Sequence, residues 1–478
     1  MTQFEAVIGL ETHIQLNTKS KIFCTCKADS WGDPPNSNIC PICTGQPGVL
    51  PVPNKKAIEK GLLLAAAMNA EIQPVSFFDR KNYFYPDLPK GYQISQYDMS
   101  LAKGGYMDLP LEDGKTRRVH IRKLHIEEDA GKTIRKEDRR LLDFNRCGVP
   151  LVEMVTGPDL RSADEAARYI TRLRQLLRWI GVSHADMEKG HLRCDANVSI
   201  REAGSQVLNP KTEIKNVNSI EHIRDAINAE IQRQTTEMEE DKIIRSWTLD
   251  WNEDTGTLSK MRSKETEADY RYFREPDLLP IEVNQDWKEG ILQTLPELPL
   301  ERKARFQETY HLSEYDADVL TGERALSDFF EDTLNAYAGQ PKQAANWIIN
   351  DLQGLLNQRG SSVEELFLTP EHLAKILSMV DEGTINTSTG KELLHKVEEQ
   401  DHPPEQIVEE EGLAQLTDTS AIRSICQEVI EEHPNQVQQY HEGKTAVLGW
   451  FIGQVMGRTG GKADPQTVRN TLKQLLQG

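Results

Sequence analysis

Four cysteines near the start of the chain form two close pairs, Cys24 with Cys26 and Cys40 with Cys43. Each pair offers two thiolates from one tight turn, which is how proteins hold tetrahedral Zn²⁺ in structural sites. Four protein ligands leave no coordination position for a substrate. The spacing therefore predicts a structural zinc site, with a reduced, metal-free cluster as the alternative, and the reacting groups are expected elsewhere.

A carboxylate and an imidazole, Glu11 and His13, stand two residues apart in the first apolar segment. The alternation of polar and apolar residues predicts a strand, and its period of two places both side chains on the face opposite Leu10 and Ile14. Such a pair suits a divalent cation. A solvated sheet face produces the same pattern and is the commoner explanation.

Three successive acidic residues, Glu127, Glu128 and Asp129, precede a Gly-Lys pair, and Glu153 adds a further carboxylate. Clustered carboxylates repel one another unless cations lie between them, and Mg²⁺ takes such oxygen ligands together with nucleotide phosphates. A salt-bridged surface is the alternative, because basic residues are frequent between 115 and 140. Strand alternation separates Glu127 from Glu128, so the pattern does not choose between them.

Alternation also places Arg193, Asp195, Asn197 and Ser199 on one face of a predicted strand, and Lys215 lies in a second polar segment of this kind. Taken alone, such a row of donors and acceptors favours a solvated sheet face. The chain has no Walker-type phosphate loop and no convincing dinucleotide fingerprint. We therefore expect any ATP to bind at a different type of nucleotide site.

Length, charge and cysteine use limit the class of protein. A chain of 478 residues has room for about three domains, and a net charge of -19 argues against non-specific coating of nucleic acid. Seven cysteines, four of them in metal-like spacing, indicate a reducing compartment. The first residues lack the features of a signal peptide, and the longest apolar run, 62–68, is too short for a bilayer. We expect a cytoplasmic protein with no membrane association.

Periodicity divides the chain into three predicted parts. Short alternating segments with interspersed helices extend over 1–293 and indicate an α+β domain. Helical periodicity follows in a helical domain at 294–406 and, beyond a Pro-rich break, in a helical tail at 407–478. Within the first part, a capping box at 162–165 predicts a helix that stops at Gly181.

The end of the tail carries a local positive charge on an acidic chain. From residue 443 onward one acid, Asp464, stands against several basic residues: Lys444, Arg458, Lys462, Arg469 and Lys473. We interpret this segment as the place where a phosphate backbone binds, with a solvated helical face as the alternative.

Five sequence runs together point to a known family. They are Gly-Leu-Glu-Thr-His at 9–13, Phe-Asp-Arg-Lys-Asn-Tyr-Phe-Tyr-Pro-Asp at 78–87, Tyr-Gln-Ile-Ser-Gln at 92–96, Glu-Glu-Asp-Ala-Gly-Lys at 127–132 and Asp-Tyr-Arg-Tyr-Phe at 269–273. With these runs the chain resembles, over its whole length, the B-subunit family of the tRNA-dependent aspartyl/glutamyl amidotransferases (GatCAB).

The resemblance implies a catalytic cradle related in fold to glutamine synthetase, followed by helical domains with a YqeY-like tail. It also implies a carbon–nitrogen ligase that uses ATP and Mg²⁺ to activate the side-chain carboxylate of Glu-tRNA(Gln) and/or Asp-tRNA(Asn). The activated group then receives ammonia that a GatA-like amidase releases from glutamine, in a heterotrimer completed by a GatC-like small subunit. A non-catalytic, zinc-containing tRNA-binding scaffold subunit is the alternative function.

The resemblance also assigns the metal ligands. Carried over by position, Mg²⁺ is expected on Glu11, His13, Glu128 and Glu153. Glu128 is preferred to Glu127 on the resemblance alone.

Further residues are expected around the reacting groups. Arg146 and Lys215 are expected to neutralise phosphate charge and to act as catalytic residues together with Glu128 and Glu153. Asp195 and Asn197 are further candidates for the same cofactor pocket. Four residues that carry an amine or a phenol are expected to line the ammonia path: Lys81, Tyr83, Lys90 and Tyr92. Of these, Lys81 and Tyr83 are also expected to border the cofactor pocket.

Overall fold

A ten-stranded sheet is the largest element of the first part of the chain. The computed structural model describes residues 4–263, 267–415 and 419–477. The chain divides into two units, Met1–Leu298 and Pro299–Gly478, and the sheet belongs to the first of them.

The described strands of the first unit are mostly short, and three are longer than ten residues. In chain order they are β1 Phe4–Gln15, β2 Glu71–Ile72, β3 Val75–Ser76, β4 Asp79–Asn82, β5 Tyr92–Ser95, β6 Ala102–Lys103, β7 Tyr106–Pro110, β8 Thr116–Glu128, β9 Lys132–Lys136, β10 Arg139–Asp143, β11 Pro150–Thr156, β12 Leu192–Glu202, β13 Thr212–Val217, β14 Trp247–Asn252, β15 Thr257–Ser263, β16 Phe273–Arg274 and β17 Ile281–Glu282.

Strand β1 lies near the middle of the large sheet, between β12 and β11. The strand order is β15-β14-β13-β12-β1-β11-β8-β6-β2, with β7 also paired to β8. In β1, Glu11 lies opposite Asp195 of β12, and His13 lies opposite Glu153 of β11. Residues that face each other in an antiparallel pair share one side of the sheet. The register therefore gathers polar side chains from distant parts of the chain on one face.

The other face of the sheet is covered by helices of the first unit. These are α1 Lys55–Ala67, α2 Ala163–Trp179, α3 Ile220–Glu239 and α4 Gln285–Gln293. The first unit also has a 3₁₀ turn at Glu267–Tyr270. Leu10 and Ile14 of β1 are buried in the same apolar core as residues of α1, α2 and α3. Burial of these apolar side chains is favourable, and it determines which face of β1 is apolar and which is polar.

Half of the predicted capping box forms at the start of α2, because the Glu165 carboxylate reaches the N–H of Arg161 and not that of Ser162. The Ser162 hydroxyl accepts the Glu165 N–H at 3.1 Å, and the Glu165 carboxylate accepts the Arg161 N–H. The helix ends at Trp179 with Ile180 as its cap, and Gly181 follows with a φ of 67°, which a glycine adopts without strain. The predicted helix and its stop are confirmed.

The described part of the second unit is helical. Its α-helices are α5 Pro299–Tyr310, α6 Glu314–Leu320, α7 Arg324–Ala336, α8 Pro341–Trp347, α9 Gln353–Arg359, α10 Pro370–Asp381, α11 Thr387–Gln400, α12 Pro404–Glu410, α13 Thr419–Glu432, α14 Pro434–His441, α15 Val447–Arg458 and α16 Pro465–Gln477. A π-helical turn at Ile348–Leu352 joins α8 to α9, and a 3₁₀ turn lies at Val363–Glu365.

The described residues of the second unit form two separate apolar cores. One extends from Phe306 to Val408, and the other joins α13, α15 and α16 between Ile422 and Leu476. Helix α12 contributes Ile407 and Val408 to the first of these cores. The bundle with its own core therefore begins at α13, whereas the boundary predicted at residue 407 lies inside α12.

The distribution of strands and helices confirms the predicted α+β class, with a sheet-rich first unit and a helical second unit. Among the described residues, no helix is both long and apolar enough to cross a membrane.

Candidate active site and zinc centre

Imidazole and carboxylate groups meet on the polar face of the large sheet. His13 Nε2 lies 3.6 Å from Glu153 Oε2 and 3.9 Å from Glu127 Oε1. From β8, His125 Nε2 lies 3.4 Å from the same Glu153 oxygen and 3.6 Å from Glu127 Oε2. Because Glu153 faces both His13 and His125 across its two neighbouring strands, the sheet register alone brings these groups together.

This cluster contains two overlapping sets of possible metal ligands. One set is Glu11, His13 and Glu153, and the other is His125, Glu127 and Glu153. In each set the ligand atoms lie within 4.8 Å of one another. The sets share Glu153, so a cation in either position would contact that carboxylate.

Charges within the cluster shift several pKa values. Burial opposes ionisation of His13, yet its contact with Glu153 and the nearby Glu127 carboxylate raise the His13 pKa to about 9. Burial likewise opposes the charge on Glu153, but His125 and His13 hold the pKa of that carboxyl well below its usual range. Glu11 differs, because burial and the Glu153 charge both raise its pKa. A divalent cation beside Glu11 would relieve this repulsion.

The Lys81 ammonium group adds positive charge to the polar face. Burial acts to lower the Lys81 pKa, but the Glu127, Glu153 and Glu11 carboxylates outweigh it, so the pKa lies above its ordinary value. Lys81 Nζ lies 4.7 Å from the centre of the Tyr270 ring and 5.8 Å from that of Tyr83. Lys81 is therefore a charged amine directed at the carboxylate cluster.

Tyr83 lies beside Lys81 and faces several carboxylates. Its hydroxyl donates to Gln93 Oε1 at 3.1 Å. Burial, and then the charges of Glu127, Asp129 and Glu128, raise the Tyr83 pKa. The phenol is therefore protonated at neutral pH, and its proton is held by Gln93.

A second cation approaches the cluster from β12 and β13. Lys215 Nζ lies 2.6 Å from Asp195 Oδ2 and 3.9 Å from Glu213 Oε1. Asp195 faces Glu11 across the β1–β12 pair, and Asn197 stands two residues further along the same strand, opposite Gly9. The structure thus brings Asp195 and Lys215 to the Glu11 side of the cluster, with Asn197 next along the face.

Arg146 is connected to these groups through Asp129. Its guanidinium donates to the Ala130 carbonyl at 3.0 Å and to the Gly131 carbonyl at 2.7 Å. Asp129 links it to the site, because Asp129 Oδ2 lies 3.6 Å from Arg146 Nε and accepts a hydrogen bond from Arg193 at 2.8 Å. Arg193 in turn faces His13 in the sheet. The structure therefore places Arg146 at the rim, behind Asp129, and not in contact with the possible metal ligands.

Glu128 is not brought to the metal-ligand cluster. Its carboxylate accepts the Ile94 N–H at 2.8 Å and forms an ion pair with Lys90. Lys90 Nζ also lies 5.2 Å from the Tyr92 ring centre. All three side chains line a cavity of about 200 Å³ that Cys24 and Cys43 border as well. Glu127, whose carboxylate accepts the Ser95 hydroxyl at 3.0 Å, is the one of the two glutamates that lies in the cluster of possible metal ligands.

Sequence reasoning left the choice between Glu127 and Glu128 open and did not single out His125. A usable signal was present, because His125 and Glu127 stand two apart on a predicted strand in the same way as Glu11 and His13. Their role became visible only through the pairing of β8 with β11, which sets Glu153 opposite His125.

The four predicted zinc ligands come together in the knuckle formed by residues 20–45. The Sγ atoms of Cys24, Cys26, Cys40 and Cys43 lie within 4.8 Å of one another, and all four thiols are free of disulfides. A main-chain bridge between Ser20 and Lys27 closes the first turn, and hydrogen bonds back to Cys40 and Ile42 close the second. This arrangement fits the tetrahedral tetrathiolate site that the spacing predicts.

The thiols of the knuckle differ in acidity. Hydrogen bonds from the Cys24 thiol and the Cys40 N–H, together with the nearby Lys21 ammonium, lower the Cys43 pKa to about 5 against the effect of burial. Burial raises the Cys26 pKa to about 11, and the hydrogen bond to Cys43 raises that of Cys24. One thiolate is thus already stabilised, and a metal ion is what would favour the others.

Comparison with known families identifies the class of protein. Residues 6–289 match the sequence model described as the GatB/GatE catalytic domain. Residues 328–476 match the model described as the GatB domain. The first match contains every residue of the polar face and the knuckle, and the second contains the helical bundle of the tail.

Curated relatives match over the full length, and they are B subunits of the aspartyl/glutamyl-tRNA(Asn/Gln) amidotransferase. The chain is 47% identical over 475 residues to the protein of this name from Persephonella marina, covering 99% of this chain and 100% of that protein. It is 45% identical to the Synechocystis protein over 99% of this chain and 98% of that protein. The chain therefore belongs to the GatB family of tRNA-dependent amidotransferase subunits.

Proposed function

We propose that the polar sheet face uses ATP to activate the side-chain carboxylate of Glu-tRNA(Gln) and/or Asp-tRNA(Asn) and then amidates it. The curated relatives are named as B subunits of an aspartyl/glutamyl-tRNA(Asn/Gln) amidotransferase, and that name supplies the substrates and the multi-subunit setting. The observation that carries the proposal is the imidazole–carboxylate cluster around Glu153, which has Lys81 and Lys215 beside it.

The chemistry requires activation because an oxide is a poor leaving group. A side-chain carboxylate oxygen attacks the γ-phosphorus of ATP, which forms an acyl phosphate and releases ADP. Ammonia then attacks the carbonyl carbon, the new C–N bond forms, inorganic phosphate leaves with the bonding electrons, and the nitrogen loses a proton. Phosphoryl transfer of this kind depends chiefly on positioning and on neutralisation of charge.

Glu11, Glu127 and Glu153 would hold Mg²⁺ in this site through carboxylate oxygens, and His13 would join them through its imidazole nitrogen once the cation has replaced the proton that its raised pKa favours. Carboxylate oxygens are the hard ligands that the ion prefers, and the repulsion between Glu11 and Glu153 supports a cation between them. When bound, the ion supplies neutralisation of the phosphate oxygens. Glu128 is not included, because its carboxylate is already paired with Lys90.

Protein cations complete the proposed site for the phosphates. Lys215 is held by Asp195, next to Glu11, so its ammonium group is available on the same face. Arg146 would contribute from the rim, where its side chain is one-third exposed. Asp195 and Asn197 would orient the bound nucleotide and its ion along β12.

Ammonia would reach the site past Glu128. Lys90 and Tyr92 border the cavity beside Glu128. Lys81 and Tyr83 lie on the polar face of the sheet, where the carboxylate of the adjacent residue, Glu127, also lies. The cavity and the carboxylate cluster thus adjoin at the end of one strand, which supports a path lined by these four side chains. The proposed source is a GatA-like amidase, and a GatC-like small subunit completes the proposed heterotrimer.

The knuckle and the tail have supporting roles in the proposal. Cys24, Cys26, Cys40 and Cys43, whose Sγ atoms lie within 4.8 Å of one another, would bind one structural Zn²⁺ ion. The helical bundle of α13–α16 contacts the tRNA backbone with its basic residues, and the protein acts in the cytoplasm.

ADP formation distinguishes this function from a non-catalytic scaffold. The complex of this chain with candidate A and C subunits is expected to form ADP from ATP only when Glu-tRNA(Gln) is present. Glu153→Gln should abolish this ADP formation without changing tRNA affinity, whereas Glu112→Gln, at a strongly exposed residue, should not. ADP formation that survives Glu153→Gln would favour the scaffold.

A further inference from the structure

Lys21 is a fully buried lysine in the knuckle formed by residues 20–45. Its relative exposure is 0%, and it ranks among the largest completely buried side chains of the described chain. Among the described residues, no carboxylate oxygen lies within the 4.0 Å of an ion pair from its Nζ atom. Glu128, which lines the cavity bordered by Cys43, is paired with Lys90. An ammonium group buried without an anion is costly, so this side chain needs a negative partner.

The contacts of Lys21 show where that negative partner lies. Lys21 Nζ donates to the Asn38 carbonyl at 2.9 Å and lies 3.7 Å from Cys43 Sγ. Cys43 Sγ also accepts the Cys40 N–H at 3.2 Å. The sulfur that meets the ammonium group is thus one of the four possible metal ligands.

Lys21 also connects the two halves of the knuckle. Its main-chain N–H donates to the Cys26 carbonyl at 2.9 Å, so its backbone belongs to the turn of the first cysteine pair. Its side chain ends at the second pair, beside Cys43. One residue therefore links the backbone that presents Cys24 and Cys26 to the sulfur of the opposite pair.

We propose that Lys21 is the buried counter-charge of a zinc tetrathiolate centre and sets the affinity of the knuckle for Zn²⁺. Zn²⁺ with four thiolates carries a net charge of about -2, and a buried centre of that charge needs a cation nearby. The Lys21 ammonium reduces the summed charge of this buried group and donates to a ligand sulfur without being a ligand itself. This inference rests on the zinc site proposed above.

A charge role and a purely structural role have different consequences. If Lys21 only satisfied the Asn38 carbonyl, a neutral side chain would affect the zinc-loaded and the metal-free protein equally. If it compensates the metal centre, its removal destabilises the zinc-loaded form more than the metal-free form, because the metal-free knuckle has fewer thiolates to neutralise. Groups that hydrogen-bond to metal ligands typically alter metal affinity by about 10–100-fold.

The test uses the full-length chain with Lys21→Met, in zinc-loaded and metal-free form. Competition for Zn²⁺ with a chromophoric chelator is expected to show an affinity about 10-fold or more weaker than that of the unaltered chain. The thermal midpoint should fall further for the loaded protein than for the metal-free protein. Unchanged affinity, or equal losses of stability in both forms, would overturn the inference.

Two further variants separate charge from hydrogen bonding. Lys21→Gln keeps a donor but not the charge and should bind Zn²⁺ as weakly as Lys21→Met, whereas restored affinity would contradict the inference. Lys19→Met, which removes a nearby exposed charge, should leave the affinity unchanged. If both Lys21 variants fail to fold with and without zinc, the role is structural and the inference is wrong. An unaltered chain that binds no zinc would instead refute the zinc site itself.

Discussion

His13 and Glu153 face each other across the antiparallel pair of β1 and β11, with 3.6 Å between Nε2 and Oε2. His125 approaches the same carboxylate oxygen from β8 at 3.4 Å. Glu153 is thus the carboxylate that both sets of possible metal ligands share. Its side chain is held by the register of three strands, so a change of charge there alters the site without requiring a change of fold.

The two adjacent glutamates of β8 are expected to have separable roles. Glu127→Gln removes a ligand from the cluster, so amide formation driven by ammonium chloride should fall on the order of 100-fold and need more Mg²⁺. Glu128→Gln should retain most of the ammonium-driven rate and lose glutamine-driven amide formation, because it disturbs the ion pair with Lys90 in the cavity. Amide formation with each nitrogen donor, measured over a Mg²⁺ titration, checks both outcomes. Equal effects of the two variants on both reactions would refute the assignment.

The zinc knuckle is expected to stabilise the first unit. Metal analysis should find one Zn²⁺ per chain, and the double variant Cys24→Ser/Cys40→Ser should lose it together with about 5 °C or more of thermal midpoint. The control is Cys426→Ser, which alters a buried thiol in the tail and should leave the zinc content unchanged. A native protein that contains no metal would contradict the prediction.

The helical bundle of α13–α16 is expected to bind tRNA through its charge. Deletion of residues 419–478 removes this bundle without cutting the core that contains α12, and should weaken tRNA binding while ADP formation persists at saturating Glu-tRNA(Gln). A plot of the logarithm of the tRNA binding constant against the logarithm of the salt concentration should also become less steep. Its slope should change by about one unit for each phosphate that the shortened chain no longer binds.

A full-length variant of the tail controls for the deletion. Replacing Lys444, Arg469 and Lys473 by Gln should reproduce the loss of affinity with the fold intact. Arg458 is left unchanged, since its guanidinium already contacts Glu428 and Glu432. Unaltered tRNA affinity in both proteins, measured between low and physiological salt, would contradict a role for this bundle.

Local patterns predicted the parts of the fold that local physics controls. Alternation placed Glu11 with His13 because one side of β1 must be buried, and the capping box marked the start of α2 because Ser162 satisfies a free N–H group. The four cysteines were predicted for a similar reason, since the spacing within each pair is set by a single turn.

Other features depended on long-range pairing, which no local pattern encodes. Alternation separated Glu127 from Glu128 but did not say which of them faced β1, because that depends on the register between β8 and β11. Lys21 gave no signal either, since a single lysine in a loop is ordinarily exposed, and its burial results from the closure of the second cysteine turn over it.

The most direct test of the central claim is amide formation on Glu-tRNA(Gln) by the complex of this chain with A and C subunits, supplied with ATP, Mg²⁺ and ammonium chloride but no glutamine. Ammonium chloride bypasses the amidase of the A subunit, so product must arise from the remaining chemistry. We expect product with the unaltered chain and with Glu112→Gln, and a loss on the order of 100-fold with Glu153→Gln. Undiminished product with Glu153→Gln, in an intact complex with bound tRNA, would contradict the assignment of this chemistry to the polar face of the sheet.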